Sequence, residues 1–179
     1  MRLADRIFRR SDWRMTSPFG MRRHPSTGQQ SMHNGTDYST GGQNWPLHAI
    51  ESGTVTGTGF CSSRGNFVVV NYPRLGRELH HFHMQRVDVR QGQSVSEGAV
   101  IGTAGSTGQS TGVHLHLGLR PNGGGAWQDP HAFVYSPPTA PPQTLHRVVV
   151  GAYAEKKNAE AMLAQAKAAG FTGAFIKVD

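Results

Sequence analysis

The chain has 179 residues with a formal net charge of +7 at pH 7, and it contains 10 histidines but a single cysteine, Cys61. It has no apolar run near the roughly 20 residues that a membrane-spanning helix needs, and a lone cysteine excludes an intramolecular disulfide or a cysteine-rich zinc finger. The excess of positive charge favours a polyanionic partner, namely nucleic acid, an anionic membrane or an acidic cell wall.

The N-terminal segment, residues 1–10, is charged throughout and lacks the apolar stretch of a secretory signal. We therefore expect a chain that is made in the cytoplasm without a signal peptide. Leu3, Ile7 and Phe8 would form one apolar face of a short helix. The same residues also fit a basic terminus that only touches the core.

The body of the chain is rich in strand and turn signals and has no long segment with a helical period. Residues 67–72 form a run of β-branched and aromatic side chains after a turn signal at Gly65-Asn66. Shorter candidate strands are residues 53–59, 99–102 and 113–118. Residues 1–135 are therefore predicted to form a mainly β domain of antiparallel sheet.

The C-terminal part differs in composition. Residues 136–144 are rich in proline and predict a semi-rigid linker. Residues 145–179 then predict a small α+β unit with βαβ order: a strand at 147–153, a helix at 155–169 and a strand at 171–178. A unit of this size buries too little surface to be stable alone. We expect it to form a homodimer, to dock on the body or to be part of a larger module.

Two short spacings of histidine and aspartate carry most of the chemical information. In His33-Asn-Gly-Thr-Asp37 the Asn-Gly turn signal argues against a helix, but a tight turn can bring the imidazole and the carboxylate together. In His114-Leu-His116 the strand period places both imidazoles on one face and the apolar neighbours on the other. Catalytic zinc favours three such ligands. The residues predict a zinc site of His33, Asp37 and either His114 or His116, with the remaining histidine beside the zinc-bound water.

An ordered set of motifs extends these pairs over most of the body. In chain order they are Ser-Pro-Phe-Gly-Met-Arg at 17–22, His-Asn-Gly-Thr-Asp at 33–37, His-Phe-His-Met at 81–84, Gly-x-x-Val-x-x-Gly-x-x-Ile-Gly at 92–102 and Thr-Gly-Val-His-Leu-His at 111–116. In this order and spacing the sequence resembles the lysostaphin/LytM-type zinc endopeptidases, which hydrolyse peptidoglycan. The resemblance implies a small antiparallel β domain with an open groove for an extended peptide.

The resemblance also implies a zinc cofactor and a set of ligands. His33 and Asp37 match the first two zinc ligands of the family, and His116 matches the third. His114 matches the catalytic histidine beside the metal-bound water. Arg22, in the Phe-Gly-x-Arg segment, is expected to form a salt bridge or to brace a loop.

A second catalytic histidine is implied in the segment that the family writes as Tyr-x-His-Leu. Here the segment is His81-Phe-His83-Met84, so that His83 takes the catalytic place and His81 is the alternative residue that could face the site. The remaining histidines are expected to be structural or incidental: His24, His48, His80, His131 and His146.

The resemblance and the positive charge together predict a zinc-dependent peptidoglycan endopeptidase that acts on the bacterial cell wall. The plan of catalytic domain, linker and module resembles a bacteriophage endolysin, and a bacterial autolysin is the alternative source. Residues 145–179 resemble the first half of a SPOR-type repeat, a module that binds peptidoglycan. A non-catalytic relative that activates other hydrolases is a further alternative, although every ligand and catalytic position is filled. Nucleic-acid binding is not expected, because the basic residues are scattered and form no recognised motif.

Overall fold

The computed structural model describes residues 1–23, 28–133, 135 and 154–169. The chain divides into two compact units, Met1–Pro137 and Pro138–Asp179. The predicted linker at 136–144 lies outside the described residues, as do the predicted strands at 147–153 and 171–178. The domain limits, the βαβ order and the dimer therefore stay predictions, while a helix is present at Lys156–Ala168 within the segment expected to be helical.

Short strands make up most of the first unit. The described helices are α1 (Leu3–Phe8) and α2 (Lys156–Ala168), and one 3-10 turn spans Pro73–Leu75. The strands are β1 (Arg14–Ser17), β2 (Gly20–Arg23), β3 (Gln30–His33), β4 (Thr36–Ser39), β5 (Pro46–His48), β6 (Gly53–Cys61), β7 (Gly65–Tyr72), β8 (Arg77–Met84), β9 (Arg86–Val87), β10 (Ser94–Val95), β11 (Val100–Thr103) and β12 (His114–Pro121).

Three antiparallel sheets organise these strands. The largest has seven strands in the order β1-β4-β12-β8-β7-β6-β10, and the smaller sheets have the orders β5-β11-β9 and β2-β3. The predicted mainly β, antiparallel fold is confirmed, and the four candidate strands correspond to β6, β7, β11 and β12. The turn expected at Gly65-Asn66 was misplaced: it occupies residues 62–64, and Gly65 already pairs with Cys61 as the first residue of β7.

The short N-terminal helix packs its apolar stripe into the core, so the helical interpretation of residues 1–10 is confirmed. Leu3, Ile7 and Phe8 are all buried, and the Phe8 ring meets the Trp45 ring edge to face at 5.6 Å. Each such side chain contributes roughly 1.5–3 kcal/mol when it is removed from water. Among the residues that the structure describes, no helix is long and apolar enough to cross a membrane.

The two faces of the seven-stranded sheet carry different side chains. Leu115 and Leu117 of β12 and Leu79 of β8 are fully buried in the core. The intervening residues of β12, His114 and His116, lie on the opposite face, as the strand period predicts. His114 and His116 therefore lie on one face of the sheet, while the hydrophobic core packs against the other face.

Candidate active site

Strand pairing brings the two histidine motifs together. His116 on β12 lies directly opposite Asp37 on β4 in the antiparallel register. His33 ends β3, and the chain bends at residues 34 and 35 before β4 begins, which confirms that this segment is not helical. Because of this bend, His33 of the small β2-β3 sheet lies next to Asp37 and His116 on the seven-stranded sheet.

The bend passes close to His116, and only a glycine at position 35 leaves room for it. A Cβ atom at this position would lie 2.4 Å from the Leu117 carbonyl oxygen and 2.5 Å from His116 Nε2. Both distances are far below van der Waals contact. The β3–β4 connection can therefore pass over β12 only where residue 35 has no side chain.

The side chains of His33, Asp37 and His116 converge on one point. His33 Nε2 lies 3.1 Å from His116 Nδ1, and Asp37 Oδ1 lies 3.2 Å from His33 Nε2 and 2.9 Å from His116 Nδ1. Ligand atoms of a tetrahedral zinc ion are about 3.3 Å apart, given bonds of about 2.0–2.1 Å. Two imidazole nitrogens and one carboxylate oxygen in this triangle fit Zn²⁺ in both chemistry and size.

Neighbouring groups set the protonation of the cluster. Burial would raise the pKa of Asp37, but the adjacent imidazoles of His116 and His33 outweigh it and hold the pKa well below its usual range. Burial lowers the pKa of His116 and favours the neutral imidazole that metal binding requires. Nδ1–H of His33 donates to the Pro18 carbonyl at 2.7 Å, which leaves the Nε2 lone pair directed at the cluster. The guanidinium of Arg22 lies 3.6 Å from the other oxygen of Asp37, in keeping with its expected salt bridge.

His114 lies beside the cluster, and a hydrogen bond on the side of its ring away from the cluster fixes its orientation. Its Nδ1 is 2.8 Å from the Gly112 carbonyl oxygen, which can only accept, so Nδ1 carries the proton. The Ser110 hydroxyl donates to the same carbonyl at 2.9 Å and lies 3.3 Å from Nδ1. Nε2 of His114 therefore presents a lone pair toward the site, 3.7 Å from Asp37 Oδ1.

His83 reaches the same place through an irregularity in β8. The pairing of β7 with β8 shifts between Asn66 and Val68, and His83 has a positive φ of 60°. Such a bulge re-aims a side chain that regular alternation would turn away. The His83 ring thus lies 4.9 Å from the His114 ring, centroid to centroid, while its Nδ1–H donates to the Thr107 carbonyl at 2.9 Å.

Of the two alternatives in this segment, His83 is the residue that faces the cluster. His81 is fully buried, and its Nδ1–H donates to the Val68 carbonyl at 3.3 Å on the core side of the sheet. His80 is also buried, against the Trp127 ring at 4.9 Å, which suits a structural role. The geometry brings together all five residues singled out from the sequence, and their ligand and catalytic roles stay predictions.

The burial of His81 predicts a stability that falls in mild acid. Burial lowers the pKa of His81 to about 4, whereas an unfolded histidine has a pKa near 6.5. Below pH 6.5 the unfolded chain binds a proton that the folded chain does not, so stability is complete above pH 6.5 and is lost as the pH falls toward 4. Between pH 7 and pH 5 the loss from this residue is about 2 kcal/mol.

Urea unfolding of the wild type and of His81→Tyr at both pH values measures this contribution. Tyrosine is the residue that the family places here, and it does not titrate in this range. The variant is expected to lose about 2 kcal/mol less than the wild type between the two pH values. Equal losses in the two proteins would show that His81 does not titrate as its burial requires.

Sequence reasoning missed the residues that orient His83 and His114. Thr107, Ser110 and Gly112 belong to the loop between β11 and β12, and two of them act through backbone carbonyls. The glycine-rich run before the His-x-His motif signals a loop, but it does not say which carbonyls face the imidazoles. Phe82, whose ring stacks on His116 at 5.2 Å with an interplanar angle of 3°, was also missed.

An open groove of about 750 Å³ lies above the cluster. One wall contains Thr16, Ser17, Arg22 and Ser39, and the other is the loop at residues 108–113. The floor carries Asp37, His83, His114 and His116. The arrangement places three side chains that could hold a metal ion, with two further histidines beside them, at the bottom of a cleft that is open to an extended chain.

Comparison with known families agrees with this description. Residues 31–130 match peptidase family M23, and residues 126–177 match the SPOR domain. The chain belongs to peptidase family M23, whose curated relatives include peptidoglycan endopeptidases, and its C-terminal part carries a SPOR domain. The SPOR match begins before the predicted linker, so it extends beyond the half repeat expected from residues 145–179.

The similar curated proteins are longer enzymes. The chain is 36% identical over 152 residues to the DD-carboxypeptidase/endopeptidase Mpg of Neisseria meningitidis, a match that covers 85% of this chain and 33% of Mpg. It is 37% identical over 110 residues to the peptidoglycan DD-endopeptidase ShyA of Vibrio cholerae, covering 61% of this chain and 25% of ShyA. The chain thus spans about a third or less of the length of these relatives.

Solved structures show the same fold. A zinc-containing peptidase from Vibrio cholerae is 30% identical with a TM-score of 0.60, covering 69% of this chain and 37% of that one. The catalytic domain of lysostaphin from Staphylococcus simulans is 28% identical with a TM-score of 0.59, covering 66% of this chain and 90% of that domain. The fold implied by the sequence motifs is therefore the fold of M23 catalytic domains.

Proposed function

We propose that this chain is a zinc-dependent endopeptidase that hydrolyses peptide bonds in the stem peptides or crosslinks of bacterial peptidoglycan. The observation that carries the proposal is the triangle of His33, Asp37 and His116, with the Nε2 atoms of His83 and His114 turned toward the same face. Three ligands and two adjacent bases supply the parts that hydrolysis of an amide needs.

The residues divide the chemistry between them. Zn²⁺ held by His33, Asp37 and His116 would polarise the scissile carbonyl and lower the pKa of a coordinated water. His83 and His114 keep their Nδ1 protons on backbone carbonyls, so each offers Nε2 to accept a proton from the attacking water. Burial lowers the pKa of His83 to about 4, which keeps the ring neutral and able to accept at pH 7. A histidine protonated in this way can then donate to the leaving amine or to the carbonyl oxygen of the bond being cut.

The rest of the chain supports a cell-wall substrate. The groove is open, and the formal net charge of +7 attracts an anionic wall. We infer that the SPOR part binds peptidoglycan and concentrates the catalytic domain there. An endolysin-like source, with synthesis in the host cytoplasm and action after release, belongs to the same proposal, and an autolysin would use the same chemistry. Lysis that begins only after the inner membrane is permeabilised would support the endolysin-like source.

Metal removal tests the proposed reaction. Chelation is expected to reduce cleavage of purified peptidoglycan to below about 1% of the untreated rate, because both the Lewis acid and the water it activates are lost. Stoichiometric Zn²⁺ should restore the rate. Mass spectrometry of the digested wall identifies the bond from the new amino and carboxyl ends.

Two results would contradict the proposal in different ways. Cleavage that persists after complete removal of the metal would exclude the zinc mechanism. A protein that binds zinc tightly but releases no peptide fragment from any wall type would support the alternative of a non-catalytic activator. The filled ligand and catalytic positions favour the enzyme over that alternative.

A further inference from the structure

The turn before β7 lies against the wall of the groove. Ser63, in this turn, accepts a hydrogen bond from the backbone N–H of Gln109 at 3.3 Å, and Gln109 lines the groove. The next residue, Arg64, accepts a hydrogen bond from the N–H of His83 at 2.8 Å. The backbone of Arg64 is therefore held in fixed relation both to a candidate catalytic residue and to one wall of the cleft.

The side chain of Arg64 lies over the ring of Phe82, next to the cluster of His33, Asp37 and His116. Its guanidinium carbon is 5.2 Å from the centre of the Phe82 ring, and that ring stacks on His116 at 5.2 Å. The guanidinium is thus at most about 10 Å from the ring of a predicted zinc ligand. An extended peptide rises about 3.3 Å per residue, so this separation corresponds to about three residues of substrate.

Arg64 differs from three other arginines of the described chain, whose guanidinium groups are each held by a carboxylate or a carbonyl. Arg22 pairs with Asp37, Arg6 with Glu97 and Arg120 donates to the Gly125 carbonyl. Within the described part of the chain, the guanidinium of Arg64 makes no ion pair or hydrogen bond, and the residue is exposed. A guanidinium fixed over a ring keeps its N–H groups free at the edge, in the fork geometry that a carboxylate matches.

We propose that Arg64 forms a subsite for a substrate carboxylate, on a residue within about three positions of the scissile bond. The inference rests on the proposed function and adds a substrate preference to it: stem peptides with a free carboxylate are preferred to amidated ones. Because the guanidinium is exposed, the preference is moderate and salt-dependent, about fivefold at low ionic strength and smaller in 0.5 M salt.

The experiment compares one crosslinked stem-peptide dimer in two forms, with side carboxyls free or amidated. The wild type is expected to bind and cleave the free acid about five times better, through KM rather than kcat. Arg64→Ala should lose this preference while cleaving the amidated dimer at the wild-type rate. Arg64→Lys should keep part of it, since it retains the charge without the fork. Arg90→Ala is the matched control, because Arg90 is exposed in the loop between β9 and β10, and β10 is the sheet edge separated from β12 by three strands.

Two readouts keep this inference separate from the proposed function. Calorimetric binding of both dimers measures the preference even if no cleavage occurs, so an inactive protein would refute the proposed reaction without deciding the subsite. A binding ratio near one in the wild type, or a ratio unchanged by Arg64→Ala, would overturn the subsite. Equal weakening of both dimers in Arg64→Ala would also overturn it, since that result indicates a packing role over Phe82. Unchanged thermal unfolding of the variant shows that the fold is intact.

Discussion

His116→Ala is expected to lose both bound zinc and peptidoglycan cleavage, whereas His114→Ala is expected to lose cleavage alone. His116 supplies the nitrogen that lies 2.9 Å from Asp37 Oδ1 and 3.1 Å from His33 Nε2. Without it two ligands remain, and the charge of Asp37 is left without its nearest partner. Zinc affinity should fall by at least about 100-fold, because removal of even an outer-shell partner costs 10- to 100-fold.

His114 makes the matched comparison because its ring adjoins the cluster without completing the triangle. Removal of a positioned acid or base costs about 10²- to 10⁴-fold in rate. Zinc content by mass spectrometry and cleavage by release of soluble peptides measure the two effects separately. Loss of zinc in His114→Ala, or retention of zinc and activity in His116→Ala, would show that the two histidines have been given each other's roles.

Gly35→Ala is expected to disrupt the site more than most side-chain deletions, although it adds one carbon. The new Cβ would overlap the Leu117 carbonyl oxygen and His116 Nε2, and neither β12 nor the imidazole can move without breaking its register with β4. Overpacking of this kind costs about 3 kcal/mol, which corresponds to a fall of about 10 °C in Tm for a domain of this size. Zinc affinity should fall with it, because the His116 ring is displaced.

Gly112→Ala provides the control within the same groove. Gly112 lies beside His114, but a Cβ there has no atom within 4 Å, and its φ is not in the left-handed region. Thermal unfolding should therefore show a change of less than about 2 °C. If the two variants lose similar stability, the close approach of Gly35 to β12 does not limit the fold.

The floor of the site could be predicted from sequence because it depends on a simple period. Alternation along His114-Leu-His116 requires both imidazoles on one face, and the Asn-Gly bend after His33 excludes a helix. The resemblance to a family implied that Asp37 and His116 come together, but the pairing of β4 with β12 that places them opposite each other was not predicted. No local pattern states which strands will be neighbours.

The position of His83 shows where local rules fail. Regular alternation along β8 would place His81 and His83 on the same face, yet the bulge and the positive φ separate them. His81 therefore enters the core and His83 enters the site. The misplaced turn before β7 has a related origin, because Gly65 is needed where a Cβ would lie 2.3 Å from the Thr107 carbonyl oxygen. Its φ of +64° marks a close tertiary approach at the start of a strand, and not the turn itself.

The three histidines that present Nε2 are all held by main-chain carbonyls, those of Pro18, Thr107 and Gly112. No side-chain substitution deletes a carbonyl, so an alanine scan of the surrounding loops would not test these contacts directly. Their tautomers depend on loop length and path. Insertions or deletions in the β11–β12 loop would move the acceptors of His83 and His114 together, so that both imidazoles would lose their orientation at once. Efforts to alter the specificity of this domain should therefore change side chains on that loop and leave its length untouched.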